Sequence, residues 1–317
     1  MPAASPDDLL AALERALLGA EPELTRAQVA ERAGVDLALA DRLWTAMGFV
    51  TPGDDAVAFS EVDVEALRTV VGLSRETGLD AEAAIALART NAQHLAAIAE
   101  AEAAVSAARV AGGAGADGLT TGLSAAEHLL VYVWRRQLLA AALRTLPALD
   151  GGEPQGARTE SVGFADLVGF TSMSRGMERD ELLALVERFD AEARERVTRG
   201  GGRVIKTIGD EVLYVAPTPA DAAAIAFALL DVESTGGLPP LRAGIAHGDV
   251  LLRHGDVFGE VVNIASRLVS LARPGTVLLD RNAAAALDDD SRWTVTRLRP
   301  RRVRGYQHLV PHVLRRR

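Results

Sequence analysis

The stretch Lys206-Thr207-Ile208-Gly209-Asp210-Glu211 constrains this chain more than any other. It lies between two short apolar runs, Arg203-Val204-Ile205 and Val212-Leu213-Tyr214-Val215. β-Branched residues bounded by Gly read as strands, and Gly-Asp between strands reads as a tight turn. The spacing therefore predicts a hairpin with an acidic tip and a lysine on the way in. Lys206 is the only lysine in the chain. By itself it reads as a solvated hairpin side chain, but an ammonium kept in an arginine-rich chain also suits a place where a guanidinium fork does not fit.

With 317 residues, 49% hydrophobic and 24% charged, the chain is long enough for two globular domains of ordinary size. The absence of Cys excludes a disulfide framework, a thiolate metal site and a Cys nucleophile, and fits a cytoplasmic protein. The start, Met1 to Asp8, lacks the basic region of a signal peptide, and no apolar run is long enough for a membrane span. Charge is uneven. Residues 1–150 hold 11 Arg against 21 Asp and Glu, whereas residues 151–317 are close to balanced.

Residues 1–150 read as an all-helical domain. Leu9 to Leu18 is a short amphipathic helix. Thr25 to Val35 resembles the start of a helix-turn-helix, with Thr25 as N-cap and Gly34 at the turn, and Leu37 to Met47 is its second helix. Ser60 caps a further helix and Asp80 to Val110 is a long Ala-rich one. Phosphate neutralisation dominates nucleic-acid binding, so the acidity of this half argues against DNA and for a bundle that meets protein or a small ligand. A Gly-rich break covers residues 111–118. The helix from Ser124 to Leu146 carries Leu129, Leu130, Val133, Trp134, Leu138, Leu139 and Leu143 on a stripe suited to a neighbour or a dimer mate. Asp150 to Gly156 is a second linker, which sets the boundary between domains 1–150 and 151–317.

Residues 151–317 alternate strands and helices. Ser161 to Asp166 is a buried-type strand and Glu178 to Thr198 an amphipathic helix; after the hairpin come a helix at Ala220 to Leu230, a strand at Leu241 to Gly248 and a helix at Glu260 to Leu271. Val277 to Leu279, Trp293 to Leu298 and His308 to Leu314 complete the sheet. This order predicts an α+β fold, a ferredoxin-like domain preceded by the all-α one. Asp166 ends the first strand and Asp210 sits at the hairpin tip. If these strands are neighbours, the carboxylates meet at one edge, and a bound cation relieves their repulsion. Hard oxygen donors favour Mg²⁺ or Mn²⁺. Two carboxylates can bridge two such ions roughly 3.5–4 Å apart, as in-line phosphoryl chemistry requires. A pair of ordinary turn acids is the plainer alternative.

Three segments, Phe164 to Thr171, Lys206 to Glu211 and Gly259 to Arg267, resemble in order and spacing the motifs of class III nucleotidyl cyclase catalytic domains, over about residues 158–315. The N-terminal half resembles, more weakly, the helical regulatory domains of soluble actinobacterial cyclases. The resemblance implies an adenylyl cyclase that converts ATP to cyclic AMP and pyrophosphate. It makes Asp166, Asp210 and the Leu167 carbonyl ligands of two Mg²⁺ or Mn²⁺ ions, and Lys206 and Asp256 the base-selecting pair. Lysine donates to adenine N1 and aspartate accepts from the 6-amino group; guanine reverses both contacts. Asn263 and Arg267, four apart and so on one helix face, orient the ribose and stabilise the transferring phosphate. Where the family often has a lysine for the terminal phosphates, this chain has Arg301-Arg302-Val303-Arg304-Gly305, and Arg304 is the candidate. The family shares its sites between chains, so a homodimer is implied. A proton, through His94 or His128, or an apolar molecule is a candidate effector of the helical half. His247 and His254, flanking the base-selecting loop, read as structural. The alternatives are a guanylyl cyclase, against which Lys206 and Asp256 argue, and a degenerate nucleotide-binding module, which would lack a catalytic residue.

Overall fold

The computed structural model describes residues 13–49, 53–112, 122–145, 157–232, 237–253 and 255–317. The chain divides into two compact units, Met1–Thr145 and Leu146–Arg317. No helix among the described residues is long and apolar enough to cross a membrane.

The first unit is helical. Residues 13–18 form a helix, and the rest of the one expected from Leu9 lies outside the described residues. Helix α1 (Arg26–Ala33) starts at Thr25, whose side chain and that of Gln28 form a capping box. It ends at Gly34, in the left-handed region at φ 68°. Helices α2 (Leu37–Ala46) and α3 (Glu61–Thr77) follow. Val29, Leu43, Trp44, Val64 and Leu67 close a small core, with the Trp44 and Phe59 rings 4.9 Å apart. Helix α4 (Ala81–Ala111) opens where Asp80 accepts a hydrogen bond from the Ala83 amide at 2.7 Å. Helix α5 (Leu123–Thr145) exposes Leu129, Trp134, Leu138 and Leu143, each by more than half. A helix apolar on several faces is normally covered, and within one chain these side chains are not. Beyond Gly112, the Gly-rich break lies outside the described residues, as does the linker at residues 150–156.

The second unit is a mixed sheet between helices. Its elements are β1 (Ala157–Leu167), α6 (Phe170–Ser174), α7 (Arg179–Arg199), β2 (Arg203–Ile208), β3 (Glu211–Ala216), α8 (Pro219–Leu230), β4 (Leu241–Arg253), β5 (Asp256–Phe258), α9 (Glu260–Leu271), β6 (Val277–Leu279), α10 (Arg281–Leu287), β7 (Trp293–Arg297), β8 (Arg301–Val303), β9 (Tyr306–Leu309) and β10 (His312–Arg316). The sheet runs β2-β3-β1-β4-β6-β10-β7, with β5 against β4. Its first four strands have the order of a ferredoxin-like βαββαβ unit. The pairs are antiparallel except β4 with β6. One strand expectation is refined. The sheet is completed by β7 and β10, while β8 and β9 form a separate two-stranded ribbon between them.

Strand alternation sends neighbouring side chains to opposite faces. Ala165, Leu167, Val212 and Tyr214 face α7 and α8, whereas Val162, Phe164, Leu213 and Val215 face α9. The Tyr214 ring is wholly buried and its hydroxyl donates to the Ala222 carbonyl at 3.0 Å. Burial of this kind contributes about 1.5–3 kcal/mol per large side chain. Helix α9 lies unusually close to β4 because residue 244 is glycine. A Cβ there would stand 2.4 Å from the Val269 nitrogen and 2.7 Å from the Ala265 oxygen.

Candidate active site

The candidate residues gather on the face of the sheet that carries α9. Asp166 pairs in register with Glu211 on β3 and with Arg242 on β4, so an acid, an acid and a base stand in a row across three strands. Gly209 (φ 61°) makes the hairpin turn possible, and the Leu167 amide donates to the Asp210 carbonyl at 3.0 Å. That bond draws the hairpin tip against the end of β1. Arg242 donates twice to a single oxygen of Asp166, from Nε at 2.7 Å and from Nη2. The Asp166 side chain also stands within hydrogen-bonding reach of the Asp210 carboxyl.

The electrostatics record the crowding. Burial, together with the charge of Asp166, holds the Asp210 carboxyl above its usual range. Burial also pushes Glu211 up to about 7, with the charges of Asp166 and Asp210 adding to it and Arg242 opposing. A group of oxygens that resists full ionisation fits a hard divalent cation. Among the described residues no set of three or more His, Cys, Asp or Glu forms a cation cage. Two carboxylates and a carbonyl completed by substrate oxygens is the arrangement Mg²⁺ normally takes.

Lys206 projects from β2 on the same face, since it pairs with Leu213. Its Nζ donates to Asp256 Oδ2 at 2.6 Å, and Asp256 Oδ1 accepts from the Val257 amide at 2.8 Å. Both ends of this pair are partly exposed, so a planar ligand can reach them. Asn263 and Arg267 lie on α9. With Glu260, Arg304, Gly305 and Tyr306 they line a cavity of about 530 Å³. Arg267 Nε is buried and, among the described residues, has no hydrogen-bond partner, a donor suited to an anionic oxygen. Arg304 sits at the β8–β9 turn and faces the same cavity. That cavity is lined by neither the Asp166 group nor Lys206.

Two site residues escaped the sequence reading. Arg242 looks like the ordinary start of a strand, and only its register against Asp166 reveals it. Glu211 was visible as part of the acidic tip, but its burial beside two other carboxylates depends on strand pairing. His247 accepts or donates at 2.9 Å to Ser161 Oγ inside the β1–β4 pair, a structural contact. His254 lies outside the described residues.

Residues 153–316 match the adenylate and guanylate cyclase catalytic domain, and residues 2–133 match the adenylate cyclase regulatory domain. The chain therefore belongs to the adenylate and guanylate cyclase family, with a regulatory domain before the catalytic one. It is 41% identical to an adenylate cyclase of Glutamicibacter nicotianae, over 99% of this chain and 85% of the relative. It is 44% identical to an adenylate cyclase of Streptomyces coelicolor, over 89% of this chain and 76% of that one. A pH-sensitive adenylate cyclase of Mycobacterium tuberculosis is 34% identical over 88% of this chain and 74% of its own length.

Proposed function

We propose that this chain converts ATP to 3′,5′-cyclic AMP and pyrophosphate at sites shared across a homodimer. The observation that carries the base preference is the Lys206–Asp256 pair at 2.6 Å, which offers one donor and one acceptor side by side. Adenine inserted at that edge accepts at N1 and donates from its amino group; guanine places like against like at both positions. The adenylate cyclases of Glutamicibacter and Streptomyces support the same reading.

Asp166, Asp210 and the Leu167 carbonyl would hold Mg²⁺ or Mn²⁺, which when bound lowers the pKa of the ribose 3′-hydroxyl and neutralises the triphosphate. The chain's own groups do the rest. Arg242 keeps one Asp166 oxygen engaged and so fixes the direction of the other. Asn263 orients the ribose, and Arg267, with its unpartnered Nε, meets the charge that grows on the phosphorus oxygens as the 3′-oxygen attacks and pyrophosphate leaves. Arg304 holds the terminal phosphates by its fork. Asp166 and Asp210 do not line the cavity of Asn263, Arg267 and Arg304, which supports a site that draws the metal-holding aspartates from one subunit and Lys206, Asp256, Asn263, Arg267 and Arg304 from the other.

The test is turnover of ATP against GTP with Mn²⁺, following cyclic nucleotide and pyrophosphate. Cyclic AMP from ATP is expected. Cyclic GMP as the main product would refute the base assignment. Asp166→Ala and Lys206→Ala proteins are each expected to be inactive, and mixing them to restore one intact site per heterodimer. No recovery on mixing would count against shared sites.

Activity is set by the helical unit, through protons or a small apolar molecule. Supporting this are the match to a regulatory domain, the pH-sensitive relative and an apolar cavity of about 200 Å³ lined by Leu39, Leu43, Val70 and Ala84. A fragment of residues 151–317 with the activity and pH profile of the whole chain would remove this part of the proposal.

A further inference from the structure

The lysine proposed to meet the base stands on an edge strand of the sheet. β2 is an edge strand, paired only with β3. Its register is broken between Val204 and Lys206, where Ile205 is an extra residue opposite Leu213. A bulge bends its strand and re-aims the side chains next to it, and an edge strand is held by a ladder on one side alone. Slippage by one residue here would turn Lys206 away from Asp256 altogether.

One contact opposes this from behind. Thr207 follows Lys206 and so points to the other face, opposite Val212 and toward α7. Its Oγ1 donates to Asp190 Oδ1 at 2.8 Å. The second Asp190 oxygen is taken by Arg194 Nε at 2.7 Å, one helical turn on. Burial alone would raise the Asp190 carboxyl, but the bonds from Arg194 and Thr207 outweigh it and hold the group below its usual range. The helix is firmly seated, with Phe189 and Ala193 on either side of Asp190 almost wholly buried.

We propose that Asp190 and Thr207 are positioning residues. They clamp β2 to α7 immediately past the bulge, and thereby fix both the aim of Lys206 and, three residues beyond Thr207, the place of Asp210. This rests on the reading of Lys206 as the base-selecting residue. Neither residue touches substrate; each acts through the hairpin.

The experiment compares kcat/KM for ATP and for GTP in the full-length protein and its variants. Thr207→Val keeps the shape of the side chain and removes the donor, while Asp190 retains Arg194 as a partner. ATP turnover is expected to fall about tenfold, the size of one hydrogen bond to a charged group. GTP turnover should fall less, so that the ATP preference narrows. Thr207→Ser should restore both, Asp190→Ala, which removes the acceptor, should reproduce the loss, and the double variant should be no worse than the poorer single one. Lys206→Gln, whose amide offers both a donor and an acceptor and so keeps turnover while losing discrimination, is run in parallel. A Thr207→Val protein with wild-type ATP preference overturns the proposal, and a Lys206→Gln control that has lost preference then leaves the base assignment standing. A Lys206→Gln protein with wild-type preference overturns both. Additive losses in the double variant overturn the clamp even if each single variant is impaired.

Discussion

Replacing Gly244 by alanine tests the link between packing and chemistry. The added Cβ would lie 2.4 Å from the Val269 nitrogen, 2.7 Å from the Ala265 oxygen and 2.9 Å from the Leu268 carbonyl carbon, whereas ordinary contacts begin near 3.4 Å. All three atoms are backbone, so no side-chain rotation relieves the clash and α9 must retreat from β4 by about 1 Å. Overpacking of this kind costs about 1–3 kcal/mol. For a domain of this size, about 2 kcal/mol lowers Tm by about 4–8 °C. The helix carries Asn263 and Arg267, and a displacement near 1 Å in groups that meet the transition state costs about 100-fold in rate. The expected result is a folded protein with a lowered Tm, a kcat for ATP down about 100-fold and a KM changed much less. The assays are thermal unfolding and steady-state kinetics, with Ser270→Ala, an exposed change on the same helix, as a control. A Gly244→Ala protein with lowered Tm but unchanged kcat would refute the claim that the seating of α9 sets the placement of its catalytic side chains.

Other outcomes follow from the charged row. In EDTA, stability should fall as pH rises from about 4.5, the ordinary glutamate value, toward the value of about 7 to which Glu211 is pushed. A raised carboxyl favours the protonated folded state, and that advantage is lost on ionisation. Thermal unfolding between pH 5 and 8 checks this, and Glu211→Gln should flatten the curve; an unchanged slope would contradict the assignment. Arg242→Met removes both bonds to Asp166, and kcat/KM should fall at least about tenfold, the size of a charged hydrogen bond. Arg242→Lys should recover only part, since an ammonium cannot make the same two-nitrogen contact; full recovery would show that only charge is needed. Arg304→Ala should raise KM for ATP with a smaller change in kcat, and a loss confined to kcat would move Arg304 from phosphate holding to the reaction itself.

The parts of this molecule that follow local rules were readable from the chain alone. Thr25 and Ser60 announce helix starts by their side chains. The Gly209-Asp210 turn between β-branched runs defines the hairpin, and the β-rich run before Asp166 puts a carboxylate at a strand end. What was not readable depends on who pairs with whom. The row Glu211–Asp166–Arg242 exists only because β1 lies between β3 and β4 in one register. The bulge at Ile205 leaves no compositional mark, because Val204 and Ile205 suit either strand face. The β8–β9 ribbon is hidden for another reason. Strands of three and four residues, Arg-Arg-Val and Tyr-Gln-His-Leu, are too short to show an apolar period, and their hydrophobic anchors, Val303, Tyr306 and Leu309, reveal themselves only by packing near Leu268.

That ribbon also bears on how such a chain changes over generations. Arg304 rides on two short strands that pair only with each other, outside the eight-stranded sheet. Lengthening, shortening or rewriting the turn at Arg304 and Gly305 breaks no ladder of the main sheet and disturbs little of the core. Under the role proposed for Arg304, the grip on the departing pyrophosphate can be retuned by small insertions and exchanges, while the strands that carry Asp166, Asp210 and Lys206 tolerate almost none. On the proposed reading, affinity for the leaving group is the adjustable dial of this scaffold, and a loop library confined to residues 301–306 is where directed evolution would move it fastest.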